Sequence, residues 1–334
     1  MLIMSYIKTL SIFFILLLIT LCISPLIGST DISWTRAFST SLSNSNNIDA
    51  LILFEVRLPR ILLGAITGAA LSVAGAILQA LLRNDLAAPF TLGVSSGAAL
   101  GAVIAIALNL NFSLLGFPII SLFSFMGALG AILLVFNLVP TRHGEFPTDV
   151  LLLAGITANF FFASLVMFIH YLADFSQSFT IIRWLMGGLS ITDYKTVLTV
   201  FPIVLIGIII LLFISRDLNL ISTGVHSASS RGVNVGKTQK IGFFTASLIT
   251  GTAVATCGPI GFVGLIVPHI VRLYVGPDLR VLIPASTFFG ASFLVICDTF
   301  ARTLLAPTEI PVGIITAMLG GPFFVWLLKR KRPA

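Results

Sequence analysis

Charge is scarce in this chain: Asp, Glu, Lys and Arg make up only 9% of its 334 residues, against about 25% in soluble domains. There is too little polar surface for a water-soluble globule. Carboxylates are scarcest where they would matter most. None of the 12 acidic residues stands at the centre of an apolar run, and Asp298 and Glu309 fall only near the ends of two. The mid-membrane acid on which proton- or sodium-driven carriers rely is therefore missing. The three cysteines, at positions 22, 257 and 297, lie in separate apolar segments, with neither a disulfide framework nor metal-ligand spacing. His143, His170, His226 and His269 are scattered, with no pair spaced to hold a metal on a helix. A phosphate-binding loop is missing too. Its nearest approximation, Arg231 to Thr238, has Arg231 where the loop needs Gly five residues before Gly236, and no strand pattern precedes it. ATP hydrolysis, if used, belongs to a separate chain.

What is abundant is apolar sequence, 57% of the residues with a mean hydropathy of +1.10. The net charge of +7 does not point to nucleic acid. That surface needs basic residues clustered on a solvated face with aromatics between them, whereas here the basic residues sit in short connections between apolar runs. About 20 apolar residues cross a bilayer as a helix. By that measure ten segments are expected, near 8–28, 59–82, 91–109, 114–139, 150–172, 196–214, 241–256, 260–275, 281–301 and 310–328. The eighth is short and carries Pro268, His269 and Arg272, so it is expected to kink or to cross only partly. Lys8 and the apolar stretch to Ile27 can be read as a secretory signal or as a retained first span. The second reading is adopted, and bulky Leu21 before Cys22 argues against a lipoprotein site.

With ten spans both termini share a side, and 13 of the 19 basic residues fall on that side. The richer side is cytoplasmic. Outer loops are then expected near 29–58 and 173–195, and an inner loop near 215–240. Gly93, Gly97 and Gly101, like Gly64, Gly68 and Ser72, repeat every four residues and point to close helix packing, with a pathway lining as the other reading. The expected fold is all-α: a single polytopic domain spanning the chain.

Several stretches together resemble the FecCD-type permeases that import iron-siderophores, heme and vitamin B12. They are Arg57-Leu58-Pro59-Arg60; Gln79 to Ala87 with Pro89; Leu92 to Ala98; Trp184 with Gly187-Gly188; Gly261 to His269 with Arg272; Asp298 with Arg302; and Glu309 to Gly313. The resemblance implies a type II ATP-binding-cassette importer permease in the bacterial cytoplasmic membrane. It would act as a homodimer or paired permease, with two cytoplasmic ATPase subunits and a periplasmic or lipid-anchored substrate-binding protein. The chain itself would bind no cofactor and no nucleic acid, and ATP would be used by the partner.

The resemblance also implies roles for named residues. Arg57, Arg60 and Arg302 correspond to positions that meet carboxylates of the binding protein; the competing reading is headgroup anchoring, or for Arg302 a pair with Asp298. Asn84, Leu86, Thr148 and Asp149 map onto a cytoplasmic gate. There Asp85 replaces the usual Pro and Asp149 a small hydroxyl residue, so repulsion between the two carboxylates is expected if they approach. Gly224, Ala228 and Gly232 match an ATPase-docking pattern in which Val225 and Arg231 depart from the usual acidic residue and Leu. Arg183, beside Trp184, offers an entry position for an anionic group. The implied cargo is a metal chelate: a ferric siderophore first, then heme or cobalamin. Other readings are an ion-coupled secondary carrier and a membrane-embedded enzyme.

Overall fold

The computed structural model describes residues 2–30, 32–33, 36–37, 47–110, 112–114, 117–139, 147–189 and 193–330. Among the described residues, seven helices are long and apolar enough to cross a bilayer. They are α1 (Leu2–Ile23), α2 (Ile48–Leu82), α4 (Ile119–Leu138), α5 (Thr148–Leu172), α7 (Tyr194–Phe213), α10 (Val235–Cys257) and α12 (Leu279–Thr303). Three shorter apolar helices, α3 (Val94–Ala107), α11 (Val263–Val275) and α13 (Val312–Arg330), bring the apolar helices to the ten expected. Between them lie α6 (Phe175–Leu185), α8 (Ser215–Thr223) and α9 (Val225–Ser230). A minimal hairpin, β1 (Ser113–Leu114) with β2 (Phe117–Pro118), joins α3 to α4.

The centre of the bundle is α2, which packs on α12, α10, α11 and α7. Its small residues explain why. A side chain at Gly68 would strike the carbonyl of Gly290 on α12, and one at Gly75 would strike Gly264 on α11. Ser72 donates to the carbonyl of Ser286 at 2.7 Å. On α3, Gly97 and Gly101 serve the same end against α4, meeting Gly127 and the backbone of Phe123. Both glycine series are thus packing faces, because in lipid helices associate by backbone approach rather than by expelling water.

One expectation is corrected. The second span begins at Ile48, eleven residues before the expected start at 59, so the outer loop is shorter than 29–58. The extension is a π-helical turn over Ile52–Arg57, in which Leu58 N–H bonds the carbonyl of Leu53. The wider turn leaves Phe54 O free to accept the Tyr194 hydroxyl at 2.6 Å. The inner loop 215–240 holds the two short helices α8 and α9, which is what the resemblance implies for it. The eighth segment is short, as expected: α11 has 13 residues, about 20 Å at 1.5 Å per residue, too little for a bilayer core of about 30 Å.

Candidate functional site

At one end of the bundle the three arginines Arg57, Arg60 and Arg302 lie close together in the fold, but not as surface charges. They are 4%, 7% and 3% exposed, each turned toward partners within the chain. Arg57 sits under the 24–30 segment, donating to the carbonyls of Pro25 (2.8 Å) and Thr30 (2.5 Å), with Gly28 passing over its guanidinium. Arg60 donates to Asp298 at 2.9–3.2 Å and to Glu309 at 2.6 Å. Arg302 Nε lies 3.1 Å from the same Asp298 carboxylate, an ion pair without hydrogen-bond alignment. The helix pair Asp298/Arg302 is the i, i+4 arrangement that the sequence allowed as the competing reading. Fully buried Asp298 is thus shared by two cations, and Glu309 is the member open to solvent, its side chain 38% exposed.

Below this cluster two irregular segments, 186–189 after α6 and 258–262 between α10 and α11, meet the 310–311 segment and the first turn of α13 inside the bundle. Gly188 N–H donates to Cys257 O at 2.7 Å and Gly313 N–H to Gly187 O at 3.2 Å. Gly187 and Gly258 hold φ of 69°, and side chains at Gly187, Gly258 and Gly313 would strike Pro259 O, Trp184 O and Met186 O. Cys257 touches Thr67 well inside α2, so this junction lies at membrane depth. Irregular backbone is tolerated there only when protein covers it. In the sequence the Gly187-Gly188 doublet, the Cys257-Gly258-Pro259 break and Gly313 stand far apart, and only the fold brings them together. Trp184 is half-buried and packs against two core clusters, whereas Arg183 points out, exposed and without a partner among the described residues.

At the opposite end, Gln79 of α2 bridges two elements: its amide nitrogen reaches Gly264 O at 3.4 Å and its oxygen accepts Arg272 Nη2 at 2.9 Å. Arg272 Nη1 in turn donates to Asp85 at 2.7 Å. Asp85 is therefore paired with Arg272. Asn84 closes a local turn by accepting Leu86 N–H at 2.9 Å, and Leu86 is exposed. Thr148 opens α5 and Asp149 lies in its first turn, where a negative charge suits the helix dipole. No hydrogen bond or ion pair joins Asn84 or Leu86 to Thr148 or Asp149 among the described residues.

The inner two-helix unit is built by the residues the sequence selected. Gly224 ends α8 and caps α9 at φ 156°, and Gly232 follows α9 at φ 84°. Ala228 is fully buried against Ile221 and Val235, so it holds the two helices together rather than facing a partner. What the unit presents outward is His226, Ser229, Arg231, Asn234 and Lys237, all exposed. It is tied to the bundle by Asn219, which donates to Asp278 at 2.7 Å and accepts Leu279 N–H at 2.9 Å. The Arg280 guanidinium, then its backbone N–H and the Asn219 amide, hold the Asp278 carboxyl down at about 2.

Comparison with known proteins bears on the whole chain. The model of the FecCD transport family matches residues 16–330. The chain is 38% identical to the hemin transport system permease protein HmuU of Yersinia pestis, over 96% of this chain and 95% of that protein. It is 43% identical to the cobalamin import system permease protein BtuC of Halobacterium salinarum, over 84% of this chain and 73% of that one. A solved structure described as an inward-facing metal-chelate type ABC transporter superposes with a TM-score of 0.84 at 32% identity, covering 97% of this chain and 99% of that one.

Proposed function

The chain belongs to the FecCD transport family and is a transport permease rather than an enzyme, and on that premise we propose that it forms the membrane path of an importer for a metal chelate. Ferric siderophore is the first cargo in this reading, with heme and cobalamin next. A second copy of the chain completes the path, two ATPase subunits dock on one side, and a substrate-binding protein delivers cargo on the other. Both termini and the α8–α9 unit face the cytoplasm, in line with the bias of basic residues.

The observation that carries this reading is the α8–α9 unit. A chain with no phosphate loop of its own devotes two short helices to a rigid projection, tethered through Asn219 to the start of α12 and outwardly basic and hydroxyl-rich. Such a projection suits a soluble partner with an acidic groove. Ala228 and Gly224 shape it, and Arg231 and Lys237 are the residues placed to touch.

On the other side the buried arginines recast the docking idea. Arg57 and Arg302 shape the surface, while Arg60 reaches a binding-protein carboxylate by exchanging it for Glu309, the exposed acid of the cluster. The test is uptake by proteoliposomes holding the chain with its ATPase and binding protein. Nucleotide-dependent accumulation of a ferric siderophore, heme or cobalamin is expected. Uptake driven by an ion gradient without nucleotide would overturn the reading.

A further inference from the structure

Where α7 passes into α8 the surface opens into a crevice of about 390 Å³, lined by Leu212, Phe213, Ser215, Arg216 and Arg280. Its charged residues are both arginines, from two different helices, and no acidic residue lines it. Arg216 is exposed and makes no hydrogen bond or ion pair among the described residues. Arg280 binds Asp278 through Nε and Nη2, at 2.6–3.0 Å, and does not use Nη1 there. With the Arg280–Asp278 pair neutral overall, Arg216 supplies the uncompensated charge.

The crevice is not isolated on the helix surface. Leu198, Phe201, Leu205, Ile209 and Phe213 are all exposed, at spacings of three and four residues, and so form one apolar stripe down α7. The stripe ends at Phe213, which is 83% exposed at the lip of the crevice. From Leu205 to Phe213 it covers about 12 Å, close to the half-thickness of about 15 Å that one leaflet contributes to the hydrocarbon core. An apolar track of leaflet length leading to a cationic crevice has the shape and charge of a lipid with an anionic head.

We propose that this crevice binds the phosphate of an anionic phospholipid from the leaflet on the α8 side, held by Arg216 and Arg280, with an acyl chain along the α7 stripe. An anionic head is favoured over a zwitterionic one because the crevice offers cationic donors and no carboxylate for a choline or ethanolamine group. The bound head bridges α8 to the start of α12, one turn from the Asn219–Asp278 tether. Lipid occupancy therefore steadies the two-helix unit. This last effect rests on the proposed ATPase docking; the lipid site itself does not.

Native mass spectrometry of the intact complex, released from nanodiscs of phosphatidylcholine and phosphatidylglycerol, reads the site directly. Wild type should retain phosphatidylglycerol in preference to phosphatidylcholine. Arg216→Gln or Arg280→Gln should weaken retention about fivefold and the double change about thirtyfold. Lys195→Gln, a control at the opposite end of α7 from the crevice, should leave lipid retention unchanged. Adding inorganic phosphate separates the two sources of the ligand chemistry: failure to displace the lipid is expected, and displacement would assign the crevice to free phosphate. Arg280→Lys, which keeps a cation beside Asp278, guards against misfolding and should retain most of the binding. Equal retention of the two lipids, or unchanged retention in the double variant, would overturn the proposal. So would a double variant that keeps its lipid but loses its ATPase partner, since the crevice would then belong to that partner.

Discussion

Arg60 of α2 and Asp298 of α12 stand 238 residues apart in sequence and meet through Nε and Nη2 in a buried, forked ion pair. Arg302 leans on the same carboxylate, so removing it leaves two buried guanidinium groups short of an anion. Breaking one side of such a pair costs about 3–5 kcal/mol. Asp298→Ala is therefore expected to lower folded yield and thermal stability sharply in detergent or nanodiscs. A melting temperature like the wild type would show that water or lipid compensates the arginines.

Glu309 should behave differently although it touches the same Arg60. Its side chain is partly exposed, and exposed pairs contribute about 0.2–1 kcal/mol. Glu309→Gln is expected to leave stability nearly intact, free Arg60 Nη1, and strengthen binding-protein docking with a steeper salt dependence. Titration of the binding protein at low and high salt checks this. Weaker docking in the variant would mean that Glu309 itself is the contact.

The Asp85–Arg272 pair invites a charge swap. Asp85→Arg alone sets two cations at the same place and should impair transport, whereas Asp85→Arg with Arg272→Asp should recover much of it, as a pair coupled through one contact does in a mutant cycle. Since Arg272 also holds Gln79, recovery will be incomplete. Substrate accumulation in proteoliposomes is the readout. No recovery at all would assign Arg272 mainly to Gln79.

Asp278 supplies a pH test with a definite sign. Its carboxyl is held at about 2, below its ordinary 3.8, so its contribution is fully present above pH about 4 and fades as pH falls toward 2. Docking of the ATPase should accordingly be flat between pH 6 and 8 as far as this group is concerned. Asp278→Asn, which mimics the protonated form, should loosen the α8 end at neutral pH. Faster amide exchange in α8 would register it.

The two sides of the membrane can be probed at exposed serines. A cysteine placed at Ser176 on α6 should label from outside and one at Ser229 on α9 only from inside. Ser45, a natural choice for the first outer loop, lies outside the described residues. Outside labelling at Ser229 would invert the topology and with it the roles given to the two charged ends.

Much of this was legible in the sequence because lipid leaves few options. Apolar runs of the right length name the spans, and the helix–helix faces follow from Gly64, Gly68, Gly97 and Gly101. What stayed hidden were relations between distant residues. That Arg57 and Arg60 are buried depends on the carbonyls of Pro25 and Thr30 and on Asp298, which no local pattern connects to them. The π turn before Leu58 was invisible because its signature is a shifted hydrogen bond, not a residue type. Ala228 lies inside the two-helix unit, and a motif does not tell an inward alanine from an outward one. The substitution at Asp85 and the family match at Arg272 can be read singly, and only the fold pairs them.

The long separation of Arg60 from Asp298 also sets a problem of timing. During synthesis α2 enters the membrane long before α11 and α12 exist, although these two cover the face formed by Gly68, Ser72 and Gly75. Until α12 emerges Arg60 has no carboxylate at its depth, so its head must reach for the headgroup layer while its stem lies along the helix. A nascent chain stopped before Asp298 thus carries an unneutralised cation and an unfilled small-residue groove on its central helix. Both are marks by which a membrane quality-control protease can distinguish an unfinished bundle from a finished one.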